Sequence, residues 1–142
     1  MMEKDIKMRR WVMVFGVFDG LHPGHRVFLR QAKKYGGKLI AVVARDAAVR
    51  GLKGRLPRER ERARLAKVRQ AEGVSHAVFG DAGQGSYGVI LRWKPDVICL
   101  GFDQSELEKD LKNRMRKGII PRIILERLKP YHPDKFRSSL IS

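Results

Sequence analysis

The chain is predicted to be an α/β protein, a Rossmann-like open sheet of five parallel strands with helices on both faces. Two observations predict this. Short apolar runs alternate with helix-like runs from one end to the other. The apolar runs are continuous, as strands covered on each face must be. The crossovers between them should be right-handed.

The first strand is Trp11 to Phe15, a β-rich apolar run. A helix follows from Gly24 to Tyr35, with Val27, Phe28, Ala32 and Tyr35 at helical spacing, stopped by Gly36-Gly37. Lys38 to Ala44 is the second strand. Pro57 to Ala71 reads as an Arg-rich helix opened by Pro57, with Ala63, Leu65, Ala66 and Val68 as a thin apolar face. His76 to Phe79 is the third strand, Tyr87 to Trp93 a short helix, and Asp96 to Leu100 the fourth strand. Ser105 to Lys117 is a charged helix with Leu107, Leu111 and Met115 on one side, and Arg122 to Leu125 is the fifth strand. The first ten residues read as a basic arm, with mobility left open, and Lys129 to Ser142 as a loop holding Pro130 and Pro133. With no internal repeat or linker, the 142 residues make one domain.

Composition excludes several classes. Hydrophobic residues at 43% argue against disorder. No apolar run reaches the roughly 20 residues of a membrane span, and the N-terminus has no secretory pattern. A lone cysteine, Cys99, excludes a disulfide framework and a multi-cysteine zinc site, and the expected compartment is the cytoplasm. The net charge of +16 attracts polyanions, so nucleic acid, anionic lipid and phosphate-rich small molecules all stay open on charge alone.

In an open parallel sheet, ligands bind beyond the C-terminal strand ends at the switch point. The loop after the first strand is Gly16-Val17-Phe18-Asp19-Gly20-Leu21-His22-Pro23-Gly24-His25. Gly16 permits a tight turn, Pro23 suits a first helical turn, and Gly24 leaves room for a phosphate to approach the backbone. His22 and His25 stand at i, i+3 beside the positive end of a helix dipole. Two imidazoles there can donate to the non-bridging oxygens of a phosphate as charge develops on them, with no covalent nucleophile. Two rival readings are a metal pair, for which Asp19 is the nearby third candidate, and helix capping.

This loop resembles the GxFDxxHxGH signature of the nucleotidylyltransferase superfamily, at Gly16, Phe18, Asp19, His22, Gly24 and His25. The resemblance implies a nucleoside triphosphate, ATP or CTP with Mg2+, held over the loop, with His22 and His25 stabilising the transition state. Val17 lies within the same phosphate-facing loop, where many members carry Thr. Asp19 would help to organise the metal and phosphates, without direct protein ligation of the metal otherwise.

Later strand ends extend the resemblance. After the second strand, Arg45 to Arg55 is a cationic loop, in which Lys53 matches the superfamily's lysine and Arg55 assists. A solvated charged loop is the alternative there. Lys94-Pro95-Asp96 through Gly101-Phe102-Asp103-Gln104 resembles the KPDxIxLGxDQ segment of archaeal-type FAD synthases. Gly101 ends the strand, and Asp103 and Gln104 could read nucleotide edges, with an N-cap role for Asp103 as the alternative. Arg127, Arg137 and the pair Ser138-Ser139 match the superfamily's terminal phosphate contacts. Of the arginines at 58, 60, 62 and 64, most read as a solvated face.

The expected reaction is transfer of an NMP group to a phosphate-bearing acceptor with release of pyrophosphate. FMN is the favoured acceptor, giving FAD. A glycerol-3-phosphate or similar cytidylyltransferase is the runner-up, and a basic nucleic-acid-binding protein on the same fold is the rival from another class. The resemblance leaves a homodimer open, and nucleic acid and membrane are not expected partners.

Overall fold

The computed structural model describes residues 3–82 and 86–130. The elements run α1 (Glu3–Arg9), β1 (Trp11–Gly16), α2 (Pro23–Lys33), β2 (Lys38–Val43), α3 (Asp46–Lys53), α4 (Glu61–Arg69), β3 (His76–Phe79), α5 (Gly88–Trp93), β4 (Val97–Leu100), α6 (Ser105–Arg116) and β5 (Ile124–Arg127). The five strands are all parallel, in the order β3-β2-β1-β4-β5. The chain order reverses between β1 and β4, which makes that the switch point.

Continuous apolar strands explain two cores. Alternate residues point to opposite faces, so Val12 and Val14 of β1 join Leu39, Ala41 and Val43 of β2 against Leu29 and Ala32 of α2 and Val68 of α4. Met13, Ile40, Val42, Ile98 and Leu100 face the other way, against Val89 and Ile90 of α5 and Leu111 of α6. Each fully buried aliphatic side chain contributes about 1.5–3 kcal/mol, so both faces of the sheet are held.

β5 lies two residues later than the sequence reading placed it and α2 ends two residues earlier, and three further helices differ more. The cationic stretch after β2 is a helix, α3, rather than a loop; it is two turns long and ends at Gly54 in the left-handed conformation (φ 74). Gly51 in its middle and its short length hid it. The Arg-rich helix starts at Glu61, not Pro57, and the amides of Arg58 and Glu59 ahead of it bond to the Asp19 carboxylate. The N-terminal arm forms a helix over Glu3–Arg9. Its exit crosses the Gly36-Gly37 pair so closely that a Cβ on Gly37 would lie 1.9 Å from the Met8 carbonyl oxygen. That pair ends a helix and also lets two backbones cross. No helix among the described residues is long and apolar enough to cross a membrane.

Candidate active site

The first loop is built from bonds within the protein. β1 ends at Gly16, where a Cβ would lie 2.8 Å from the Phe18 ring. Phe18 is in the left-handed region (φ 56), a cost of about 1 kcal/mol, offset by burial of its ring. That ring meets His25 edge-on with centroids 5.6 Å apart. Phe18 thus supports a histidine from below. Leu21 is buried as well and anchors the loop just ahead of the helix.

His22 is the N-cap of α2, and Pro23 occupies the first helical position. The His22 Nδ1 accepts the Gly24 amide at 3.1 Å. The His25 Nδ1 accepts the His22 amide at 3.2 Å. These two bonds form a capping box, with imidazole nitrogens in place of the usual hydroxyl and carboxylate. The i, i+3 spacing is what this box requires.

The cap dictates protonation. A nitrogen that accepts an amide hydrogen carries none itself, so each neutral ring holds its hydrogen on Nε2. The two rings stack with centroids 3.7 Å apart and 22° between planes. Neither Nε2 has a hydrogen-bond partner among the described residues. Burial, and then the neighbouring His22, lower the His25 pKa to about 4, so His25 is a neutral donor at physiological pH. The pair presents two adjacent N–H donors at the positive end of an 11-residue helix.

Gly24 clears space for the His22 ring: a Cβ there would lie 3.0 Å from the His22 Cε1. The amides of His25 and Arg26 both donate to the His22 carbonyl. The donors this turn leaves outward are therefore the imidazole Nε2–H groups. The capping role is present in these rings, and because it uses only Nδ1 it leaves the ligand-facing reading compatible with it.

Asp19 lies in the same loop. Its two oxygens accept the Arg58 and Glu59 amides at 2.8 and 2.9 Å. Burial pushes its carboxyl up, but those amides and the charges of Arg64 and Arg58 outweigh this and hold it below the usual range. Among the described residues no three His, Cys, Asp or Glu side chains gather as a metal site. Cys99 is buried within β4, its thiol pushed up to about 12 by burial and then by Glu126, so it offers no thiolate.

The model of the cytidylyltransferase-like family matches residues 13–141. The chain belongs to the cytidylyltransferase-like family. Similar curated proteins include the FAD synthase of Aciduliprofundum boonei, 43% identical over 84% of this chain and 78% of that protein, and the FAD synthase of Pyrococcus horikoshii, 42% identical over 81% and 76%. A solved structure described as a lipopolysaccharide core biosynthesis protein from Thermoplasma volcanium superposes with a TM-score of 0.77 at 37% identity, covering 86% of this chain and 98% of that one. A Thermus thermophilus pantothenate synthetase, 15% identical with a TM-score of 0.59, shares the fold.

The other predicted site residues of this cytidylyltransferase-like domain fall into two groups. Lys53 and Arg55 are exposed at the end of α3 with no hydrogen bond or ion pair among the described residues. Asp103 is exposed beyond β4 beside Gly101, and Gln104, not Asp103, is the N-cap of α6. The second group is tied up within the protein. Gln104 accepts the Gly101 amide at 2.9 Å and donates to the Phe15 carbonyl at 2.8 Å. The β1–β4 ladder has only two residue pairs, and this carboxamide bridges the strands where the ladder has stopped. Each of its ends makes one bond within the protein, so its carboxamide is held in place at the edge of the crevice. Arg127 pairs with Glu108 and donates to the Phe102 carbonyl, which fastens β5 to the loop before α6. Val17 contributes its backbone carbonyl to Arg64. Arg137, Ser138 and Ser139 lie outside the described residues.

The sequence reading missed Arg64. It is 0% exposed, while Arg58, Arg60 and Arg62 are exposed. The buried face of α4 is Arg64 and Val68, one turn apart; Ala63 and Ala66, expected there, are exposed. Also missed was the reciprocal pair Asp46 and Glu61: each carboxylate accepts the other residue's amide, at 3.3 and 2.8 Å. Both residues open helices, so each caps its neighbour's N-terminus. The usable signal was a helix with too few apolar residues to cover a core, which leaves a buried position for an arginine.

Proposed function

We propose that the protein is an FMN adenylyltransferase, making FAD and pyrophosphate from ATP and FMN. The carrying observation is the capped histidine pair: two stacked imidazoles, each accepting a backbone amide on Nδ1 and leaving Nε2 outward, at the β1–α2 turn next to the β1/β4 switch point. FAD synthases 37–43% identical to the chain support the choice of substrates.

A terminal phosphate oxygen of FMN attacks the α-phosphorus of ATP. The new P–O bond forms as the bond from that phosphorus to the bridging oxygen breaks, and pyrophosphate leaves with the electron pair. His22 and His25 donate to the α-phosphate oxygens as charge concentrates there. Lys53 and Arg55, on the exposed end of α3, offset charge on the leaving pyrophosphate. Magnesium would come with the triphosphate as part of the substrate, and Asp19, held in place by two backbone amides, would help to organise it. The protein's own work is positioning and electrostatics.

Pyrophosphate release with each nucleotide and acceptor pair tests the reading. Turnover is expected with ATP and FMN, falling at least about 100-fold in His22→Ala and His25→Ala. Turnover of CTP with glycerol 3-phosphate, and none of ATP with FMN, would overturn it.

A further inference from the structure

We propose that Arg64 is the positioning residue of the histidine loop: its buried guanidinium holds the diverging ends of β1 and β2 in the arrangement that aims the His22 and His25 Nε2–H groups. The geometric claim stands on its own; its consequence for turnover rests on the adenylyl-transfer reading above.

The parallel ladder between β1 and β2 ends at the pair Gly16 and Val43, and the last bond beyond it runs from the Ala44 amide to the Gly16 carbonyl at 2.9 Å. The next two carbonyls, of Val17 and Ala44, belong to diverging chains. A buried carbonyl needs a donor, and one Arg64 nitrogen, Nη1, donates to both at 2.8 Å. Its Nε donates to the Glu59 carbonyl at 3.0 Å, and its Nη2 to Asp46 at 2.7 Å. Four of the five guanidinium hydrogens are thereby used in a planar fork. The three tetrahedral hydrogens of a lysine could not reach four acceptors in that geometry.

Two circuits lead from this hub. In the first, Glu59, fixed through its carbonyl, uses its carboxylate to accept the Gly20 amide at 2.9 Å. Asp19 accepts the Arg58 and Glu59 amides in return. The histidine loop is thus stapled on both sides of Asp19–Gly20 and anchored at Val17, just ahead of the His22 cap. In the second, Asp46 opens α3, the helix that carries Lys53. Burial raises the Asp46 pKa, but the Arg64 hydrogen bond and the Glu61 amide outweigh that and hold it below the usual range. One side chain therefore ties the loop with the imidazoles to the helix with the candidate lysine, with no hydrogen bond to either imidazole or to the lysine itself.

The test compares Arg64→Ala and Arg64→Lys with Arg62→Ala, an exposed neighbour on the same helix, in the protein without nucleotide. Imidazole 15N spectra report which ring nitrogen carries the hydrogen. The wild type and Arg62→Ala should show both histidines with the hydrogen on Nε2. Arg64→Ala should show mixed tautomers for both rings, and adding guanidinium ion at a non-denaturing concentration should restore the wild-type pattern, whereas sodium or ammonium should not. In turnover, kcat should fall about 100-fold with KM for ATP changed less than about threefold, as expected when reacting groups are misplaced but binding is retained. Guanidinium should recover about tenfold of that loss. Arg64→Lys, whose side chain fills the space, should lose about tenfold and gain nothing from guanidinium. Imidazole spectra unchanged in folded Arg64→Ala overturn the proposal, and so does a kcat loss without a tautomer change. Should Arg64→Ala not fold, wild-type spectra in Arg64→Lys overturn it equally. If the wild type does not turn over ATP and FMN, the reaction assignment fails, and the spectra with their guanidinium response still decide the role of Arg64.

Discussion

Protonating His25 should undo the helix cap, and its surroundings set the pH at which this occurs. Burial, then the neighbouring His22, pull the His25 pKa from 6.5 down to about 4, against a weaker upward pull from Asp19. Its Nδ1 accepts the His22 amide at 3.2 Å, so an imidazolium would set N–H against N–H. The folded pKa lies below the unfolded one, and on acidification the unfolded chain takes the proton first. The stability contributed by this ring is therefore complete above about pH 6.5 and is lost as pH falls toward 4. The span from 6.5 to about 4 corresponds to about 3 kcal/mol. The ring is half-buried, and solvent screening brings the expected loss to about 2 kcal/mol. The assay is urea unfolding at about pH 7 and about pH 4.5 for wild type and His25→Gln. Glutamine at this position can accept the same amide without titrating, and the carboxylates of Asp19, Asp46 and Glu59 titrate in both proteins and cancel in the difference. The wild type should lose about 2 kcal/mol more than the variant over this interval. Equal losses, or a His25 resonance that titrates near 6.5, would refute the reasoning.

Three further outcomes are expected. Gly24→Ala places a Cβ 3.0 Å from the His22 ring; kcat should fall about tenfold while the melting temperature holds, because alanine favours the helix by about 1 kcal/mol. Lys53→Ala, at an exposed position with no partner among the described residues, should lower kcat/KM for ATP about tenfold and leave stability within about 0.5 kcal/mol, as read by steady-state kinetics and denaturant unfolding. Gln104→Leu strips partners from the Phe15 carbonyl and the Gly101 amide and should cost about 2 kcal/mol in urea unfolding.

The high positive charge resolves unevenly in the structure. The Arg-rich stretch from Arg58 to Arg64 is not a uniform basic face. Arg64 lies in the core, and Lys67 pairs with Glu59. Arg58, Arg60 and Arg62 remain outward. In α2, Arg30 and Lys33 stand in the last turn, a helix length away from the histidine pair, so the positive end of the helix dipole, not these side chains, faces the site.

The sequence by itself determined the parallel sheet, because strands covered on both faces must be apolar throughout, and it singled out the β1–α2 loop as the candidate site, because two histidines three apart behind a glycine turn are local features. Trp11 to Phe15, Lys38 to Ala44 and His76 to Phe79 were legible to within a residue at their ends. Tertiary structure decided what each polar side chain bonds to. Arg64 was read as one of a row of solvated arginines, and only the divergence of β1 and β2 reveals the two carbonyls that require it. Gln104 and Arg127 read as ligand contacts, yet their partners lie 89 and 19 residues away in sequence. A hydrogen bond between distant segments leaves no periodic trace in the chain, whereas burial of a whole strand does; that is why the architecture could be read from one end to the other and the wiring of the site could not.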